Sequence, residues 1–294
     1  MDLASTDKEG QARLDALRAE LRRAGWIDGE NARIDVRWAA GNADLTRQHA
    51  DELIALRPDV IVAAGSPSLA PLHKATTTLP IVFVTVIDPV GAGFVASEAR
   101  PGGNITGFTA LDYSIGAKWV QLLLELRPTL KRMVVLHDTS LSSGRSQLGA
   151  IAAVARPRGV SLAPLGLRDA EEIRRGLEEN AAQGDCGVIV TSNTQAIVHR
   201  DLIISLAAKH RLPAVYSLRL FVIDGGLIAY SPDRVDQFRQ AATYVNRILR
   251  GEKPANLPVQ SPIKYELVIN LRTARSLGID VPATLMVRAD EVVE

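Results

Sequence analysis

Short apolar runs alternate along the chain with stretches in which apolar residues recur at helical spacing. Between residues 13 and 24, for example, Leu14, Leu17 and Leu21 share one helix face. Strands that alternate with helices indicate β-α-β units and a parallel sheet covered on both faces. The predicted strands are 32–38, 60–64, 81–86, 133–137, 187–191, 214–216 and 227–230, and the predicted helices are 13–24, 45–56, 117–126, 170–182, 195–210 and 235–249.

Two segments rich in glycine and proline interrupt the alternation, at residues 99–107 and 251–262, and residues 217–226 form a third candidate. Glycine and proline at this density mark loops or crossings between lobes. A chain of 294 residues is also longer than one core usually covers.

We therefore predict an α/β fold with two doubly wound parallel-sheet lobes joined by a multi-strand hinge. Such a hinge supports closure about a ligand. We place residues 1–107 and 228–258 in lobe 1, and residues 108–227 and 259–294 in lobe 2.

The start of the chain lacks two expected patterns. The first helical pattern begins near Gly10, whereas a doubly wound lobe opens with a strand, so we expect the first strand of lobe 1 to be missing. Residues 1–12 are polar and show no signal-peptide pattern of a basic and then an apolar region.

Composition narrows the function classes. Hydrophobic residues make up 47% of the chain, and the formal net charge is +1, which argues against nucleic acid as a partner. No nucleotide-binding glycine motif or nucleophile elbow is present, and the five histidines lack metal-ligand spacing. We therefore expect no cofactor, no metal and no enzymatic activity.

Polar residues follow the predicted strands of lobe 1. Ser66 and Ser68 come after the strand at 60–64, where Ser66 would be the N-cap and Pro67 the first residue of a helix. The N-terminus of a helix can bind a carboxylate. Plain helix capping explains the two serines equally well.

Thr85 and Asp88 end the next strand, and ligands of open α/β sheets bind outside the carboxyl ends of strands. Asp88 can pair with an amine, or it can form an Asx turn before Pro89. In lobe 2 the corresponding candidates for polar contacts are Asp138 and Asn193.

Tyr216 and Tyr230 lie at strand ends near the crossings and can supply aromatic walls, although core packing is the commoner role of such residues. For His137 a structural role is favoured, because no partner in its neighbourhood of the sequence would orient it for catalysis.

Several longer stretches carry a family resemblance: GWIDGEN at 25–31, PIVFVTVIDPVGAGFVASEARPGGNITGFT at 80–109, and the run from ATYVNRILRG to SLGIDVP at 242–282. Together they resemble the ABC-transporter substrate-binding family that includes tryptophan- and tyrosine-binding members. The resemblance implies a type I periplasmic-binding-protein fold, and it covers nearly the whole chain.

The resemblance further implies the binding component of an ABC-type importer, which captures a small polar metabolite, an amino acid or related carboxylate, between its lobes by hinge closure. The implied partners are a permease and an ATPase, the implied form is a monomer, and the implied location is periplasmic or anchored outside the cytoplasm. The resemblance points to Ser66, Ser68, Thr85, Asp88, Tyr216 and Tyr230.

Residues 137–140 and 191–195 differ from the family pattern, so the ligand stays open. A doubly wound enzyme and the effector-sensing domain of a regulator are the alternatives.

Overall fold

A computed structural model describes residues 4–294 of the chain. None of the helices within this range is long and apolar enough to cross a bilayer. The strands are β1 (Ile61–Ala64), β2 (Ile81–Val86), β3 (Ile105–Thr109), β4 (Arg132–His137), β5 (Ser161–Gly166), β6 (Cys186–Val190), β7 (Ala214–Tyr216), β8 (Ile228–Pro232), β9 (Tyr265–Asn270) and β10 (Glu291–Val293). The α-helices are α1 (Lys8–Arg23), α2 (Ala43–Ala55), α3 (Gly65–Ala75), α4 (Ile115–Leu126), α5 (Ser142–Ala155), α6 (Ala170–Ala181), α7 (Thr194–Val198), α8 (Arg200–Lys209), α9 (Arg219–Ile223), α10 (Arg234–Leu249), α11 (Leu271–Leu277) and α12 (Ala283–Arg288).

The chain divides into two compact units. Unit 1 ends at Asp112 and resumes over Asp233–Lys264, whereas unit 2 consists of Tyr113–Pro232 and Tyr265–Glu294. The sequence places the lobe boundaries after residues 107, 227 and 258, whereas the structure places them after 112, 232 and 264. Residues 217–226 lie inside unit 2 and contain α9, so they are not a crossing.

Unit 1 is built on a parallel sheet in the order β1-β2-β3. All six residues of β2 are buried, as expected of a central strand covered on both faces. On one face, Leu14, Leu17 and Leu21 of α1 pack with residues of α10, which confirms the helix face predicted for residues 13–24. On the other face, residues of α2 and α3 pack against β1 and β2.

Strand β3 was not predicted, because the glycines and prolines of residues 99–107 indicate a loop. The structure shows why a glycine stands in this strand. Gly107 pairs with Phe83 of β2, and a Cβ atom at Gly107 would collide with the Phe83 backbone. The glycine therefore permits close approach of two backbones, which is a recognised role of glycine in strands.

The predicted strand at 32–38 is not a strand in the structure. Residues 33–39 join no sheet in the described part of the chain, and Ala32 makes only an isolated bridge to Asp28. Over residues 33–36 exposure nevertheless alternates as in a strand, with Ile34 half-buried between the exposed Arg33 and Asp35. The prediction was wrong because a strand also needs a hydrogen-bonded neighbour, which a local pattern does not reveal.

Unit 2 is built on a seven-stranded sheet in the order β10-β9-β8-β7-β6-β4-β5. All pairs are parallel except β8 with β9, which is antiparallel and departs from the predicted all-parallel sheet. Strand β5 was not predicted, since Pro164 lies within it and proline is disfavoured inside sheets. It lies at the sheet edge, where a proline is tolerated.

We expect Gly107→Ala to destabilise the chain by roughly 1–3 kcal/mol, because the added methyl group overpacks the contact between β2 and β3. Chemical denaturation measures the effect. Gly103→Ala is the matched control, since a Cβ atom there meets nothing within 4 Å. Equal losses in the two variants would contradict the close-packing role of Gly107.

Candidate functional site

The three strands of unit 1 end at one edge of their sheet. Ala64 of β1 is in register with Val84 of β2, and Val86 of β2 is in register with Thr109 of β3. The residues that follow these strands therefore lie along one edge. The structure thus brings Ser66, Thr85 and Asp88 to the same edge, where sequence reasoning places the ligand contacts.

Helix α3 begins at Gly65, immediately after β1, and no side chain caps its N-terminus. Ser66 therefore lies inside the first turn and is not the predicted N-cap. Gly65 has a φ of 78°, which makes the sharp turn from strand to helix possible. The N–H groups of the first turn have no partner within the helix, and the dipole is positive at this end.

Ser68 has a different environment from Ser66. It lines a cavity of about 40 Å³ together with Arg37, His49 and residues of β1. Its position near the start of α3 follows from the sequence, but its side chain lines a cavity between α2 and β1.

The backbone after β2 adopts an unusual conformation. Thr85 and Asp88 have φ values of 59° and 50°, in the left-handed region that non-glycine residues seldom occupy. The pairing of β2 with β3 shifts register between Val84 and Val86, so Thr85 forms a bulge. Each such residue costs about 1–3 kcal/mol, and strain of this kind clusters at functional sites.

Asp88 is held by a local turn. Its Oδ1 accepts a hydrogen bond of 2.9 Å from the Gly91 amide, and its carbonyl accepts one of 3.0 Å from the Ala92 amide. A Cβ atom at Gly91 would collide with the Asp88 carboxylate. The side-chain bond reaches the amide three residues on, not two as in the predicted Asx turn, and it orients a half-exposed carboxylate at the sheet edge.

Gln237 belongs to the same edge and was missed by sequence reasoning. Its Nε2 donates to the Thr109 carbonyl at 2.6 Å, and its buried Oε1 has no hydrogen-bond partner among the described residues. The available signal was a polar residue on the buried face of α10, beside Phe238 and Ala241. Such a side chain needs a polar partner because burial removes its hydrogen bonds to water.

In unit 2 the neighbouring strands β7, β6 and β4 also end at one edge. Asn193 follows β6 and is buried, with its Oδ1 accepting from the Ala196 amide at 2.8 Å and its Nδ2 donating to the Thr191 carbonyl at 3.1 Å. Asp138 follows β4, and its Oδ1 accepts hydrogen bonds from the Ser140 amide and hydroxyl. Both predicted ligand contacts thus have local capping partners.

The two predicted aromatic contacts, Tyr216 and Tyr230, differ in how deeply they are buried. Tyr216 is 1% exposed and stacks on Phe221 with ring centroids 4.9 Å apart, and burial raises the pKa of Tyr216. In this structure Tyr216 is therefore a packing residue. Tyr230 is half-buried and stacks on Tyr265 at 5.4 Å, with the Lys118 ammonium 5.8 Å from its ring centroid. Burial also raises the pKa of Tyr230.

Two further polar groups at this edge of unit 2 are buried without hydrogen-bond partners in the described structure: the His137 Nδ1 and the Ser217 Oγ. Ser217 was not among the predicted contacts. Gln147 of α5 also escaped prediction. It fixes the loop after β6 by accepting from the Ser192 amide at 2.9 Å and donating to the Ser192 carbonyl at 3.1 Å.

The model of the family described as ABC transporter substrate binding protein matches residues 8–293, which is nearly the whole chain. The chain belongs to this family. Members of the family bind substrates, so the chain is a binding protein and not an enzyme.

A tyrosine-binding protein of Clostridioides difficile is 26% identical to this family member over 259 residues, which is 88% of this chain and 74% of that protein. A solved structure of a conserved domain protein from Vibrio cholerae is 28% identical, with a TM-score of 0.84, and covers 97% of this chain and 95% of its own.

An ABC domain from Streptococcus pneumoniae in complex with L-Trp is 24% identical, with a TM-score of 0.85, and covers 98% of this chain and 96% of its own. These likenesses confirm the two-lobed type I periplasmic-binding-protein fold.

We expect the stability of this binding protein to fall as pH decreases below about 6.5, the ordinary pKa of histidine. Burial lowers the pKa of His137, and the nearby Asp138 charge opposes the shift only in part. The unfolded chain then binds more protons than the folded chain, which favours unfolding in acid. His137→Gln should make the difference in unfolding free energy between pH 7.5 and pH 5.5 smaller, as measured by urea denaturation. An unchanged difference would contradict this role.

Proposed function

We propose that the chain is the substrate-binding component of an ABC-type importer and that its ligand is an aromatic amino acid. One observation supports the ligand class: the uncapped N-terminus of α3 and the Asp88 carboxylate lie at the ends of neighbouring strands of unit 1. These two groups match the two charges of a free amino acid.

The carboxylate of the ligand would bind at the start of α3. The amides of Gly65 and Ser66 lack partners within the helix, and the Ser66 hydroxyl can add a donor. Pro67 contributes no N–H group, so donors are concentrated at the first two residues of the turn. The positive end of the helix dipole favours an anion here.

The ammonium group of the ligand would bind to Asp88. The turn to Gly91 uses Oδ1 of Asp88, and the side chain is half-exposed at the strand end. The strained backbone of Thr85 and Asp88 supports this assignment, since such conformations persist where the surrounding structure enforces them for function.

Unit 2 would contact the remainder of the ligand. Leu141 follows β4 and is 49% exposed, and Val198 lies in the short helix after β6 and is 66% exposed. Apolar side chains near strand ends suit an aromatic side chain. Tyr230 and the unpartnered groups of His137 and Ser217 are the polar and aromatic candidates in this unit.

Tyrosine and tryptophan are the ligands named for two of the relatives, which supports this choice. We further propose that binding favours a closed arrangement of the two units by the ligand's differential affinity for it. The binding protein would act outside the cytoplasm, and a membrane permease with its ATPase would receive the loaded form, in line with the family.

Tyrosine, tryptophan and phenylalanine should raise the melting temperature by several degrees, because a ligand at 100 times its Kd stabilises the folded state by about 2.7 kcal/mol. The same ligands should reduce the radius of gyration in small-angle X-ray scattering. Glucose and ribose serve as controls and should do neither. Stabilisation by a sugar but by no amino acid would overturn the proposed ligand class.

Asp88→Asn should weaken amino-acid binding by about ten- to a hundredfold in calorimetry, since a hydrogen bond to a charged group contributes about 1.5–3 kcal/mol. The asparagine keeps the acceptor oxygen for the Gly91 amide, so the turn is retained. Asp59→Asn removes an exposed carboxylate just before β1, at the opposite end of that strand, and should leave affinity unchanged. Equal affinity in the Asp88 variant would remove Asp88 from the site.

A further inference from the structure

A row of polar and aromatic side chains crosses four neighbouring strands of unit 2 near their carboxyl ends. One core cluster, formed with α6 and α8, contains the last apolar residues before this row, which are Leu136 of β4, Val190 of β6, Tyr216 of β7 and Ala229 of β8. Side chains alternate between the two faces of a sheet, so the next residue of each strand faces the opposite side. The row on that side consists of His137, Thr191, Ser217 and Tyr230.

Backbone hydrogen bonds extend the strand register to this row. The Thr191 amide donates to the Leu136 carbonyl at 3.0 Å, and the Ser217 amide donates to the Val190 carbonyl at 3.1 Å. Both bonds continue the parallel ladders by one residue beyond the paired positions. His137, Thr191 and Ser217 are therefore lateral neighbours on three adjacent strands.

The hydrogen bonds of these three side chains are unequal. The Thr191 Oγ1 donates to the Leu136 carbonyl at 2.8 Å, whereas the His137 Nδ1 and the Ser217 Oγ are buried without partners among the described residues. Strands lie about 4.8 Å apart, so the backbones of His137 and Ser217 are separated by roughly 10 Å. Two hydrogen bonds of about 2.8 Å each, together with the two side chains, fit this separation. One small polar group between them can therefore pair with both.

The middle of the row is uncharged. Asp138 follows His137, but its Oδ1 accepts hydrogen bonds from the Ser140 amide and hydroxyl, and the Lys118 ammonium lies at the far end, 5.8 Å from the Tyr230 ring centroid. Burial lowers the pKa of His137, so its imidazole is neutral at pH 7. Because a buried charge needs a partner of opposite charge, the row favours a neutral group. A hydroxyl group is neutral and both donates and accepts a hydrogen bond.

We propose that His137 and Ser217 form a subsite for a side-chain hydroxyl of the ligand, and that the protein therefore selects tyrosine over phenylalanine. The inference rests on the proposed amino-acid function and assigns the chemical group that unit 2 recognises. Tyr230 is half-buried and lies beside Ser217 in the row, where it can contact the ring that carries the hydroxyl. A site built to bond a hydroxyl rejects the analogue that lacks it, because the polar groups of the site then stay unpaired.

Calorimetry should give a Kd for tyrosine that is lower than the Kd for phenylalanine by about tenfold or more. O-methyltyrosine cannot donate a hydrogen bond from its oxygen and carries an additional methyl group, so it should bind no more tightly than phenylalanine. Equal Kd values for tyrosine and phenylalanine would overturn this inference and leave the proposed transport function intact. Binding of no amino acid would overturn both.

Ser217→Ala and His137→Phe each remove one of the two polar groups. Both variants should bring the Kd values of tyrosine and phenylalanine to within about threefold of each other, mainly by weakening tyrosine binding. Thr191→Val is the matched control, since the Thr191 hydroxyl is already bonded within the protein. It should lower the melting temperature and keep the preference for tyrosine. An unchanged preference in Ser217→Ala would overturn the proposal, even if His137→Phe fails to fold, and would assign the two groups to the packing of unit 2.

Discussion

Parallel strand pairing is the constraint on which the rest of this molecule depends. Because successive parallel strands must all end at the same edge, each strand is followed by a loop or helix start at that edge. In unit 1 this places the start of α3 beside the bulge at Thr85. In unit 2 it places the uncapped start of α5 beside the loop after β6. Polar chemistry is concentrated at these edges because the central strands, such as β2 and β6, are buried on both faces.

The antiparallel pair of β8 and β9 is the exception to parallel pairing, and it follows from the path of the chain. The chain leaves unit 2 after β8 and returns to it at β9, so the two strands run in opposite directions. On the unit 1 side, the Asp233 amide donates to the Lys264 carbonyl at 3.0 Å, and the two side chains form an ion pair at 2.8 Å. Burial acts to raise the pKa of Asp233, but the Lys264 ammonium and the Asp236 amide outweigh it and lower the pKa. Two of the three crossings of the chain between the units are therefore hydrogen-bonded to each other, through β8 and β9 in unit 2 and through Asp233 and Lys264 in unit 1.

The sequence correctly predicted those elements whose pattern of apolar residues lies within the element itself. The leucine face of α1 and the buried run of β2 are of this kind, since helical spacing and a continuous apolar run each report burial directly. Strand β3 and segment 33–39 were predicted wrongly for a common reason. In β3, Gly107 is required by the backbone of another strand, and segment 33–39 would be a strand only with a neighbour beside it. Neither condition is local, so neither is visible in a window of sequence.

The candidate site shows the same limit at the level of single side chains. Polar residues at strand ends can cap the following helix or bind a ligand, and both roles select the same residue types. The buried Asn193 already has its hydrogen bonds within the protein, whereas the His137 Nδ1, the Ser217 Oγ and the Gln237 Oε1 are buried without partners in the described residues. A satisfied buried amide gains little from a ligand, while an unsatisfied buried group gains a hydrogen bond that the folded chain otherwise lacks. For uncharged buried groups, hydrogen-bond satisfaction therefore separates the two roles, and it depends on distances between segments far apart in sequence. For this reason strand-end position could be predicted from the sequence, whereas the choice among the residues at those ends could not.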